Sequence, residues 1–160
     1  MLLAWVVVMS VFPQLVSYLH YVFIKPQSQI SAAVFRLFDY DVIETYGNLP
    51  CHAHIRVNDL SGVCIGTGCS GLELFFLFSG FIVLISGSWK NKMWFIPLGI
   101  VVIFLLNIIR IILLIFINYY YPQYLHFNHT YTLVIIVYMA IFGLWMIWIK
   151  KYSYIAHAKN

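Results

Sequence analysis

Four long apolar runs dominate the hydrophobic pattern of the chain, at about 2–24, 69–87, 93–119 and 130–149. A helix of about 20 residues crosses the hydrocarbon of a bilayer, so each run is predicted to be a transmembrane helix. Pro13, Gln14 and His20 interrupt the first run. It lacks a basic start and a clear small-residue cleavage site, so it reads as a span rather than a signal peptide. Pro97, Gly80, Gly99 and Gly143 fall inside the later runs, where neighbouring helices can accommodate them.

The stretch 25–68 has a different texture. Residues 28–46 are predicted to form an amphipathic helix on the membrane surface, with Val34, Leu37 and Phe38 toward lipid. "CHAHIRV" (51–57) alternates as a strand does, "NDLSG" reads as a turn, and "VCIG" supplies a short partner strand. The expected architecture is an all-α integral membrane protein of about four spans. It forms a single membrane domain, 1–160, with an outer amphipathic and hairpin segment at 25–68.

Composition agrees with the pattern. The chain of 160 residues is 63% hydrophobic and 9% charged, more apolar surface than one soluble core of this length can hide. The net charge of +4 is too dispersed for a nucleic-acid face and is better used for topology. Lys90 and Lys92 lie between the second and third runs, and Lys150, Lys151 and Lys159 follow the fourth. The positive-inside rule puts both groups in the cytoplasm. Four spans then leave both termini inside, with 25–68 and the 120–129 loop outside. Tyr119, Tyr120, Tyr121 and Tyr124 form an outer interfacial belt.

Three cysteines, Cys51, Cys64 and Cys69, permit at most one intramolecular pair, and parity does not say which thiol is left over. No spacing matches a zinc ribbon or a CxxC redox motif. His52 and His54 form an H-x-H pair that Cys51 and Cys64 could join as metal ligands. The competing reading is a surface hairpin stapled by Cys51 and Cys64, which leaves Cys69 free; no metal is the preferred expectation.

Two charges fall inside apolar runs, Glu73 and Arg110, where ionised groups are costly and are paired or functional. Counting from Met93 at ~1.5 Å per residue sets Arg110 roughly 25 Å across a ~30 Å core, near the outer face. Cys69 opens the second run at the same face, with Glu73 four residues on. That makes Glu73 an ion-pair candidate for Arg110, with Asn107 one turn below. "YLHFNHTYT" adds His126 and His129 at the same level. Cysteine attacks only as a thiolate, favoured by a helix N-terminus, an imidazole or a nearby arginine. Ser70 and Gly71 after the cysteine are small enough to admit a substrate backbone. A histidine could move the thiol proton, and Arg110 could stabilise an oxyanion. These are the parts of acyl transfer at a membrane surface.

"GTGCSGLELFFLF", "LLNIIRIILL" and "FNHTYTLVIIVYM", in that order between Val63 and Trp148, resemble the exosortase/archaeosortase family of membrane cysteine transpeptidases. The resemblance covers roughly half the chain. It implies Cys69 as nucleophile, Arg110 as the arginine of the N-x-x-R motif and His129 as the third catalytic residue, with His126 as the alternative. Ser70, Glu73 and Asn107 are implied in support. The family implies a bacterial inner-membrane enzyme with its site facing the periplasm. Its substrates are membrane-anchored proteins with a C-terminal sorting signal, cleaved through a Cys thioester and passed to a lipid-linked acceptor. No cofactor is implied. Two features depart from the pattern: well-known members are longer, and Glu73 stands where they often carry a basic residue. A non-catalytic assembly subunit on the same scaffold is the competing functional class.

Overall fold

The computed structural model describes residues 13–47, 51–58 and 62–152. The first part of the expected span at 2–24, most of the "NDLSG" turn and Lys159 lie outside the described residues.

Helix α1 runs from Pro13 to Arg36. His20, Ile24, Gln27 and Ser31 recur at helical spacing on one face, and all four are buried. The surface helix expected at 28–46 is not a separate element. Residues 28–36 continue α1, the chain turns at 37–39 with Asp39 in the left-handed region, and 42–46 is a strand. The reason is local: "VIETY" is rich in β-branched and aromatic residues that suit a pleated surface. Leu37 and Phe38 are nevertheless exposed, whereas Val34 is half-buried.

The expected hairpin forms and gains a third strand, which amends the all-α expectation. Strands β1 (Val42–Tyr46), β2 (Ala53–Val57) and β3 (Val63–Ile65) make an antiparallel sheet in the order β1-β2-β3. Ile55 lies opposite Glu44 on one side and Val63 on the other, and His54 lies opposite Cys64. Alternation then sends Val42, Ala53, Ile55, Val57, Val63 and Ile65 inward. They pack on Ile24, Ala32 and Phe35 of α1 and on Ile111, Leu114 and Ile115 of the long helix described next. Cys51 and Cys64 are joined as a disulfide, with Cα atoms 5.4 Å apart, and Cys69 is the free cysteine.

After β3 the chain makes a tight 3₁₀ turn, Thr67–Cys69, and enters α2 (Leu72–Leu84). Helix α3 (Trp89–Tyr120) follows. The stretch expected as a 120–129 loop is mostly helical. Short turns at Pro122–Tyr124 and Leu125–Phe127 lead through a π-helical turn, Asn128–Thr132, into α4 (Leu133–Tyr152). Two helical runs, Trp89–Tyr120 and Pro122–Tyr152, are long and apolar enough to cross a bilayer. α2 is shorter than its expected span: its 13 residues reach about 20 Å at ~1.5 Å each, short of a ~30 Å core.

Phe78 and Ile82 of α2, Phe95 and Ile103 of α3, and Val137, Ile141 and Trp148 of α4 build the apolar interior of this helical layer. Gly99 is required where α3 meets α2, because a β-carbon there would collide with the Phe78 ring. At the far end, Lys92 folds back to donate from Nζ to the carbonyl of Val83 at 2.9 Å. This satisfies a carbonyl of the last turn of α2 and sets a cation at the negative end of that helix. Its ammonium also lies 5.0 Å from the centre of the Trp89 ring. The sheet, α1 and the upper ends of α3 and α4 enclose the other end, where the polar residues collect.

Candidate active site

The turn between β3 and α2 is held by its own polar atoms. Ser70 donates its hydroxyl proton to the carbonyl of Thr67 (2.8 Å) and accepts the backbone N–H of Leu72 (3.2 Å). The Ser70 oxygen also lies 2.7 Å from Nδ1 of His20, and Gln27 Nε2 donates to the Ser70 carbonyl at 3.0 Å. Gly71 takes φ +72°, a left-handed conformation that suits glycine, and caps the start of α2. A β-carbon at Gly71 would also run into the side-chain amide of Asn107. Cys69 therefore belongs to the tight turn before α2 rather than to the helix itself, and its side chain is only 3% exposed.

His129 meets the thiol from the opposite side. Its Nε2 lies 3.5 Å from Cys69 Sγ, and the residue sits in the π-helical turn leading into α4. A π turn adds a residue to the helical repeat and so re-aims the side chains it carries. Arg110 of α3 closes the third side. Nη1 donates to the carbonyl of Gly68 at 3.2 Å, and Nη2 to the carbonyl of His129 at 3.5 Å. One buried guanidinium thus ties the residue before the cysteine to the backbone of the histidine. Burial raises the pKa of the thiol, and the positive charge of Arg110 partly opposes that rise.

A thiol, an imidazole and a guanidinium from three different elements meet at one end of a helical layer. The transmembrane exosortase family model (Exosortase_EpsH) matches residues 1–151, well beyond the stretch that carries the motifs. The chain belongs to the transmembrane exosortase family. No curated protein and no solved structure matches it. Membership makes this a membrane protein of the exosortase type, in keeping with the two bilayer-length helices among the described residues.

In this family member the structure brings Cys69, Arg110, His129 and Ser70 together. Asn107 is fully buried beneath the turn, with neither amide atom hydrogen-bonded. It fills the space that Gly71 leaves. His126 is exposed, and the contact to the cysteine comes from His129. The ion pair expected between Glu73 and Arg110 is absent. Glu73 is exposed in the first turn of α2, and the ion pair among the described residues joins Arg36 and Glu44 at 2.9 Å. The error has a physical origin. Counting four residues from Cys69 to Glu73 assumes one continuous helix, and the left-handed Gly71 breaks that phase. A carboxylate in the first turn of a helix has its own rationale, because the N-terminal dipole end attracts negative charge.

His20, Gln27 and His52 were not anticipated at the site. The sequence does carry a faint signal for the first two: His20, Gln27 and Ser31 fall on one helical face of a largely apolar segment. His52 stacks on His20 with ring centroids 6.3 Å apart, and both are buried. Burial drives the pKa of His52 below the usual imidazole value, followed by no other cause of note. The disulfide removes Cys51 and Cys64 from the ligand set considered with His52 and His54.

Proposed function

We propose that this exosortase-family chain is a membrane cysteine peptidase or transpeptidase with Cys69 as nucleophile, His129 as acid–base and Arg110 as electrostatic support. The observation that carries the reading is the 3.5 Å approach of His129 Nε2 to Cys69 Sγ, with Arg110 bonded to the backbone on both sides. The chemistry follows from these atoms. His129 accepts the thiol proton, and the thiolate attacks the scissile carbonyl carbon of an exported protein near its C-terminal sorting signal. The carbonyl π electrons move onto oxygen, and the Arg110 charge favours that oxyanion. Collapse breaks the C–N bond, and the departing amine takes the proton from His129. A thioester remains on Cys69. An acceptor amine or water attacks it, passes its proton through His129 and returns the free thiol.

Placement of the lysines supports a site facing the outside of the bacterial inner membrane. Lys92 lies at the Trp89 end of α3, whereas Arg110 and Cys69 lie toward the other end. The substrates are read as membrane-anchored proteins with a short motif, one span and a basic tail, and a lipid-linked molecule is the acceptor class. Four spans remain the topology we propose for the whole chain.

The test is co-expression with such a substrate. Cys69→Ala abolishes cleavage, and His129→Ala lowers it by about 10²–10⁴-fold, the usual contribution of a positioned acid–base group. Both variants stay at wild-type level in the membrane. The near-complete burial of Cys69 favours one second reading, a non-catalytic assembly subunit. On that reading the wild type does not cleave the substrate, Cys69→Ala is harmless, and only Arg110→Ala lowers abundance, by leaving the Gly68 and His129 carbonyls unpartnered.

A further inference from the structure

The Ser70 hydroxyl can be accounted for completely. It has one proton to give and two lone pairs to fill. The proton goes to the Thr67 carbonyl, and one lone pair takes the Leu72 N–H. Only an acceptor position remains for His20, whose Nδ1 lies at 2.7 Å. Nδ1 must therefore carry the hydrogen. The other ring nitrogen, Nε2, is buried without a hydrogen-bond partner. His20 is thus held as one tautomer by a residue adjacent to the nucleophile. One and two helical turns further along the same face, Ile24 packs into the core and Gln27 holds the Ser70 carbonyl. Both polar faces of Ser70 are gripped from α1, an element on which none of the reacting side chains lies.

We propose that His20 is a positioning residue of the reaction: its Nδ1–H fixes Ser70, and through Ser70 it holds the Cys69 turn at the distance from which His129 can reach the thiol. The proposal rests on the functional reading above. It follows from the geometry of the turn. The contact to His129 Nε2 at 3.5 Å is the one side-chain hydrogen bond the thiol makes among the described residues, so a rotation of the turn separates them. Arg110 holds Gly68, the residue before Cys69, and His20 and Gln27 hold Ser70, the residue after it, so the thiol is fixed from both sides only while these partners are kept. The effect falls on the orientation of the nucleophile and not on substrate contacts.

Two measurements test this on the full chain. In the first, ¹⁵N-histidine spectra are recorded in detergent micelles, with each ring assigned by substitution. His20 shows a protonated Nδ1 and an unprotonated Nε2, and Ser70→Ala shifts the Nδ1 signal. His20→Leu moves the ring signals of His129, while His20→Asn, whose amide N–H stands in for Nδ1–H, leaves them in place. A protonated Nε2 in the wild type, or His129 signals unmoved in His20→Leu, overturns the proposal.

In the second, proteoliposomes hold the enzyme and a reporter bearing a C-terminal motif, a single span and a basic tail, titrated as a mole fraction. His20→Leu lowers the saturated rate about 10–100-fold with KM unchanged, the scale of a small misplacement of reacting atoms, and His20→Asn recovers to within about threefold on the same scale. Equal rates for the two variants, or a rise in KM alone, overturn it. Cleavage that persists in Cys69→Ala sinks the functional reading instead, and the histidine spectra then decide the positioning separately.

Discussion

Gly71 shows how one residue sets the site. Its left-handed backbone separates the cysteine turn from α2, and the Asn107 amide occupies the space where a side chain would sit. Gly71→Ala carries about 1–2 kcal/mol of backbone strain in that region, in addition to the displacement of Asn107. It is expected to lower the melting temperature in detergent and to weaken cleavage together. An unchanged melting temperature would contradict the account of the turn. The same residue explains which parts of the site could be read in advance. Depth along a helix is simple arithmetic, so Cys69, Arg110 and His129 could be placed at one level. Azimuth requires an unbroken helix, so the pairing of Glu73 with Arg110 failed at the first left-handed residue. His20 and Gln27 were hidden for another reason: their helical spacing shows a shared polar face but not what that face will meet.

The outer sheet belongs to the element scale. The alternation of "CHAHIRV" and "VCIG" was legible, because period-two burial leaves its mark on the sequence. "VIETY" continues the helical pattern expected over 28–46, but the helix ends at Arg36 and these residues form a strand. The disulfide closes a loop with a sequence separation of 13 between β3 and the residue leading into β2. Replacing both cysteines, Cys51→Ser with Cys64→Ser, is expected to cost about 3 kcal/mol by loop entropy. Denaturation of the wild type with and without reductant reads the same quantity. Indifference to reductant would count against the staple.

Acid tests the sheet in a second way. Burial lowers the pKa of His52, so the unfolded chain binds this proton more readily than the folded one. The stability contributed by neutral His52 is fully present above its ordinary value of 6.5 and is lost as pH falls through the depressed folded value. Melting temperature should decline from pH 7.5 toward pH 5, with a shallower decline in His52→Asn. Identical slopes in the two proteins would refute this assignment.

At the scale of the whole molecule, the two bilayer-length helices among the described residues and a short apolar helix support a polar cluster that the sheet and α1 cover. On the function proposed above, this arrangement sets the reacting groups where a substrate still anchored in the membrane can reach them. The architecture separates the tasks. The α3 and α4 helices fix the depth of Arg110 and His129, the β3–α2 turn presents Cys69, and α1 steadies the turn. Four apolar runs made the membrane class plain from the sequence. The length of α2 was not plain, because its run continues through residues that the folded chain uses for turns.

The central claim is that Cys69 carries the substrate. Purified protein is mixed with the tethered reporter, quenched in acid and analysed by mass spectrometry, with hydroxylamine as the cleaving reagent. The account predicts a hydroxylamine-sensitive adduct between the reporter's N-terminal fragment and Cys69, absent in Cys69→Ala. Reporter cleavage with no such adduct, or cleavage that survives Cys69→Ala, would contradict it.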